Sequence, residues 1–140
     1  MNDIELLQYV HETAEMGIQG LSSLDGQVRD EGLRRVLGQQ SAEYRRIADQ
    51  AEQLLRSLGE EPRDPGLLAK VSAEVLSTVK TLADPSPSNI AEMVIQGNTM
   101  GAAKSTRHLG DYSGCSREIR NLAERLLHTE EAKAAQMKQF

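Results

Sequence analysis

The longest unbroken pattern in the chain is one helical seam. Leu33, Leu37, Gln40, Tyr44, Ile47, Ala51, Leu54 and Leu58 recur at alternating steps of four and three residues. That spacing puts them on a single helix face and suits side-by-side helix packing. A second seam precedes it, made of Leu7, Val10, Ala14, Gly17, Leu21, Leu24 and Val28. Strand side chains alternate every second residue, so neither seam reads as a strand. The spacing predicts an all-α chain whose first two helices run over about 3–28 and 31–58. Asn2 or Asp3 can cap the first, Asp30 the second, and Gly59 suits the position just past a helix end. The link between them is short enough to force an antiparallel pair.

Composition agrees. Among 140 residues there is one Phe and no Trp, and a core of Leu, Val, Ile and Ala favours helices over strands. No apolar run approaches the ~20 residues that cross a bilayer. A formal charge of −5 argues against nucleic acid or an anionic membrane as partner. Met1 leads straight into Asp3 and Glu5 with no basic segment, and Cys115 has no second cysteine to pair with. Both features fit a chain of the reducing cytoplasm.

The pattern breaks between Gly59 and Pro87. Asp64 with Pro65 predicts a short helix over about 65–83 that buries Leu68, Val71 and Val75, and the Pro-rich stretch after Asp84 stops it. Two further helices are expected over about 88–109 and 114–139. In the first of these, Ile90, Val94, Gly97, Gly101, Lys104 and His108 share a face. A helix of about 25 residues is nearly 40 Å long at ~1.5 Å per residue. The long connection is sufficient to run that length, which would make the helices on either side of it parallel. That is one domain, a four-helix bundle of two antiparallel hairpins joined by a long crossover.

This layout resembles the ferritin-like superfamily over nearly the whole chain. The stretches QQSAEYRRIADQAEQLL (39–55) and IAEMVIQGNTMG (90–101) are similar to a group of small bacterial ferritin-like proteins. The resemblance implies a ferritin-like bundle. It also raises iron or manganese held by a carboxylate-bridged centre, with a Glu from two helices and a Glu-x-x-His from each of the other two.

The candidate site follows from the last helix. Ile119, Ala123, Leu126, Ala134 and Met137 form its seam, and the position that falls between Leu126 and Ala134 on that face is Glu130. A buried carboxylate must be paired, hydrogen-bonded or protonated. Helix register sets Glu130 near Gln40 and Tyr44, with Gln96 and Glu43 as further candidates. Three readings follow: a polar layer that fixes register, a small-ligand pocket with Gln40, Tyr44 and Glu130 as polar handles, or a reduced metal site of Glu43, Gln96 and Glu130. The family's motif is altered here. Glu43-x-x-Arg46 and Glu130-x-x-Lys133 carry cations where the family has histidines, and cations repel a metal. His11 with Glu15, His128 with Glu131, and Cys115 are weaker candidates on solvated faces. The expected function is therefore non-catalytic assembly, interaction or small-ligand binding without a cofactor, in a homodimer by default. The alternative is a carboxylate-bridged iron or manganese redox protein.

Overall fold

A computed structural model describes residues 1–63 and 84–140. Its helices are α1 (Asp3–Ser22), α2 (Glu31–Ser57), α3 (Pro87–Asp111) and α4 (Arg117–Met137). The helix expected over 65–83 lies outside the described residues.

Each helix starts on a side chain that accepts a hydrogen bond from an otherwise unpaired backbone N–H. Asn2 Oδ1 accepts from Glu5 N at 2.8 Å while Glu5 Oε1 accepts from Asn2 N at 3.2 Å, a reciprocal capping box. Asp30 caps α2, Ser86 caps α3 with Pro87 as its first residue, and Ser116 caps α4. At the end of α2, Gly59 takes φ 78°, its N–H bonds Arg56 O, and Glu60 N–H bonds Leu55 O. This is the left-handed ending that glycine makes without a Cβ clash.

The helices pack as two hairpins, α1 on α2 and α3 on α4, joined mainly through α4 against α2 and α1. Named pairs set the directions. Gly17 faces Tyr44 while Gln8 bonds Glu61 and Arg63, so α1 and α2 are antiparallel. Tyr9 bonds Ser105 while the Met1 amino group donates to Asp111 O, so α1 and α3 are antiparallel as well. It follows that α2 and α3 run parallel. The start of the chain is tied to the α3–α4 turn, where Tyr112 Oη donates to Asp3 Oδ1 at 2.6 Å and Ser113 N to Met1 O at 2.9 Å.

The core is aliphatic. Leu6, Leu7, Val10, Leu33, Ile47, Leu55 and Leu126 are fully buried. Three details depart from the seams read in the sequence. Helix α1 stops at Ser22 rather than 28, yet Leu24 and Val28 stay in the core because a hydrogen-bonded turn, Gln27 N to Leu24 O at 2.8 Å, keeps them facing inward. Leu55, not Leu58, fills the last core position of α2, and Leu58 is 46% exposed at the cap. On α3 the inward residues are Asn98 and Ser105, while Gly97 and Lys104 are exposed.

Candidate functional site: a polar seam in the core

Two polar layers sit between the aliphatic ones. The first is built on Gly17. Tyr44 lays its ring against that glycine, so that a Cβ at position 17 would lie 2.6 Å from Tyr44 Cε2. The ring can enter the α1–α2 interface only because no side chain occupies that spot. Its hydroxyl donates to Asn98 Oδ1 at 3.2 Å, and Gln40 Nε2 donates to the same oxygen at 2.6 Å. Gln40, Tyr44 and Asn98 are all buried. Gln40 Oε1 and Asn98 Nδ2 have no described protein partner.

The second layer is built on Gly101. Glu130, 2% exposed, points from α4 into α3 at this residue, and a Cβ there would collide with its Oε2. Ser105, one turn further along α3, donates to Glu130 Oε1 at 3.1 Å. Ser105 Oγ also lies 2.9 Å from Tyr9 Oη. With the carboxylate ionised, the Ser105 hydroxyl donates its hydrogen bond to Glu130 and the Tyr9 hydroxyl donates to Ser105, a chain from α1 through α3 to α4. His108 packs against Tyr9 with ring centroids 4.1 Å apart and the planes tilted by 55°.

Electrostatics follow from burial. Loss of water raises the Glu130 carboxyl to about 7, and the Ser105 hydrogen bond only partly opposes this. Burial also raises Tyr44 well above an ordinary phenol, with the nearby Glu130 charge adding to the effect. Tyr9 is raised by burial, against the opposing hydrogen bonds from Ser105 and Thr13. The seam therefore favours neutral groups and holds no cation in contact with Glu130 among the described residues.

The residues expected at a metal site separate. Gln40, Tyr44 and Glu130 are buried in the seam. Glu43 lies at the α2–α4 edge, where Arg125 Nε approaches Oε1 at 2.7 Å and Arg46 Nη2 approaches Oε2 at 2.9 Å. The Arg125 hydrogen bond is the main reason its carboxyl is held below the usual range. Gln96 is exposed. A dinuclear centre needs several carboxylates and imidazoles on the same ions, and no group of three or more His, Cys, Asp or Glu able to hold a metal occurs among the described residues. The donor set they present does not fit such a centre. His11 Nε2 and Glu15 Oε1 are 3.9 Å apart, and Cys115 is exposed just before the α4 cap.

From α3, Glu130 was expected to meet Gln96. Its neighbours are instead Gly101 and Ser105 on α3 and Tyr9 on α1. Tyr9, Asn98 and Ser105 are seam members that the sequence reading missed. One signal was available: Asn98 and Ser105 fall four and eleven residues after Val94, as helical a seam as Gly97 and Lys104.

No helix among the described residues is long and apolar enough to cross a membrane. Comparison with family models, curated proteins and solved structures finds no match to this chain.

Proposed function

We propose that this protein is a non-catalytic bundle of the ferritin-like type that works by binding, and that its interior polar seam fixes helix register where a di-metal protein would carry ligands. The parallel run of α2 and α3 on either side of a long connection supports the ferritin-like part of this reading. One observation carries the rest: Glu130 is held by one serine hydroxyl and a glycine's clearance, while Glu43 is occupied by two arginines. A buried polar layer of this kind favours one helix register, because a slip leaves its donors and acceptors facing aliphatic groups. Binding then falls to the surface, to a small ligand or to a second copy of the chain, and the lone Cys115 suits a reducing cytoplasm.

Elemental analysis tests this reading. Protein prepared without chelator or affinity tag, then incubated aerobically with ferrous iron or manganese, is expected to retain far less than one ion per chain. Retention of about one or two ions per chain, lost in Glu130→Ala, would establish the carboxylate-bridged reading instead.

A further inference from the structure

Helix α3 buries Val94, Asn98 and Ser105 and turns a second stripe outward. Glu92, Gln96, Thr99, Met100, Ala103 and Arg107 are all exposed. At about 100° per residue, this stripe lies nearly opposite the buried one. Met100 is 64% exposed, more than any other large hydrophobic residue among the described ones. Between Glu92 and Lys104 no exposed residue of α3 carries a charge.

The stripe is also symmetric along the helix. From Glu92 the steps to Gln96 and Thr99 are four and three, and from Arg107 back to Ala103 and Met100 they are again four and three. The mirror point falls between Thr99 and Met100. The two ends carry opposite charge, and neither Glu92 nor Arg107 forms an ion pair with a described residue. A second α3 laid on the first end for end therefore sets Glu92 of each copy level with Arg107 of the other. Gln96 falls level with Ala103, and Thr99 with Met100. A two-fold interface needs this self-complementarity, because the same patch must serve both sides. An unrelated partner would require no mirrored spacing. Parallel pairing would set Glu92 on Glu92 and Arg107 on Arg107 and would align the helix dipoles, so charge selects the antiparallel arrangement.

We propose that the outer face of α3 is an interface with a second copy of this chain: an antiparallel α3–α3 pair centred between Thr99 and Met100. Both methionines pack beside the axis, and a Glu92–Arg107 pair closes each end. The stripe is about 22 Å long at ~1.5 Å per residue. A single helix pair of that length sits at the low end of specific interfaces, so the association is weak. The proposal rests on the binding reading above and gives it a partner. Metal content tests that reading separately: a metal-loaded bundle can still dimerise, and a metal-free monomer overturns this inference alone.

Sedimentation equilibrium of the full chain is the test. The parent protein should show a monomer–dimer equilibrium with a Kd of about 10 μM to 1 mM. Met100→Glu places two carboxylates beside the axis and should weaken association at least about tenfold. Glu92→Arg and Arg107→Glu each set like charges at both ends and should each cost about as much. Mixed in equal amounts, these two charge variants should associate with each other about as tightly as the parent does with itself, since each supplies the charge the other lacks. All three positions are exposed, so thermal midpoints should stay close to that of the parent. The proposal is overturned by a parent protein that stays monomeric at about 1 mM, whether or not residues 64–83 cover the face. It is overturned equally by variants that dimerise as the parent does, or by a mixture of the charge variants that fails to associate.

Discussion

Gly101 of α3 makes room for Glu130 of α4: a Cβ at position 101 would occupy the place of the Glu130 Oε2 atom. The carboxylate and the glycine are two halves of one contact, which gives a prediction about their coupling. Alanine in place of a helical glycine normally gains about 1 kcal/mol. Overpacking of this severity costs about 1–3 kcal/mol. Gly101→Ala should therefore destabilise the parent protein in urea unfolding. In a Glu130→Ala background the same change should be neutral or stabilising, because the group it strikes is gone. A Gly101→Ala effect that is the same in both backgrounds would remove the contact from consideration.

Gly17 and Gly20 lie on the same helix and differ in what stands before them. A Cβ at position 17 would lie 2.6–2.8 Å from three Tyr44 ring atoms, and at position 20 it would meet nothing within 4 Å. Gly20→Ala should stabilise by about 1 kcal/mol through helix propensity alone. Gly17→Ala gains the same propensity but loses about 1–3 kcal/mol to overpacking against the buried ring, so it should destabilise by up to about 2 kcal/mol. It should also move Tyr44 off Asn98 and Gln40, visible as loss of protection at the Gln40 side-chain amide, which donates to Asn98 Oδ1 and Tyr44 Oη, in exchange measurements.

The Glu43–Arg125 pair should matter to Glu43 more than to the fold. Arg125 is 40% exposed on its side chain, and ion pairs in that setting contribute about 0–1 kcal/mol. Arg125→Ala should lower stability by less than about 1 kcal/mol. The Glu43 carboxyl, held down first by the Arg125 hydrogen bond, should titrate higher in the variant. Because its folded-state value is depressed, the pair's contribution is present above the ordinary carboxylate range and fades as pH falls through the folded value. Carboxyl chemical shifts across an acid titration would check this.

Much of this arrangement was legible in the residues, for reasons that also explain what was not. The α1 and α2 seams are written in leucine and valine, and an aliphatic residue on a periodic face has little alternative to burial. Glu130 stood out because it interrupts such a face. On α3 the same rule misled. Asn98 and Ser105 resemble surface residues, so the seam was drawn through Gly97 and Lys104, each about 100° around the helix from them, although Ile90, Val94 and Gly101 of the same expected face do turn inward. What buries Asn98 is its bond to Gln40, 58 positions away in the chain, and periodicity within one helix carries no information about that. The end of α1 was lost for a related reason: the turn after Ser22 keeps Leu24 and Val28 inward, so apolar spacing continues past the helix.

The most direct measurement is the pH dependence of unfolding free energy for the parent protein and Glu130→Gln, with and without manganese. The Glu130 carboxyl is raised from 4.5 to about 7, so the folded state holds the proton that the unfolded chain releases. Parent stability should then fall as pH rises from about 4.5 to about 7 and stay reduced above that, by about 3 kcal/mol in total at ~1.4 kcal/mol per pH unit. Glu130→Gln cannot ionise. It should lack this loss, match the parent near pH 4.5, exceed it at pH 8, and respond to manganese no differently from the parent. If the parent gains stability from manganese at pH 8 and Glu130→Gln does not, Glu130 is a metal ligand and the register-fixing seam is the wrong reading.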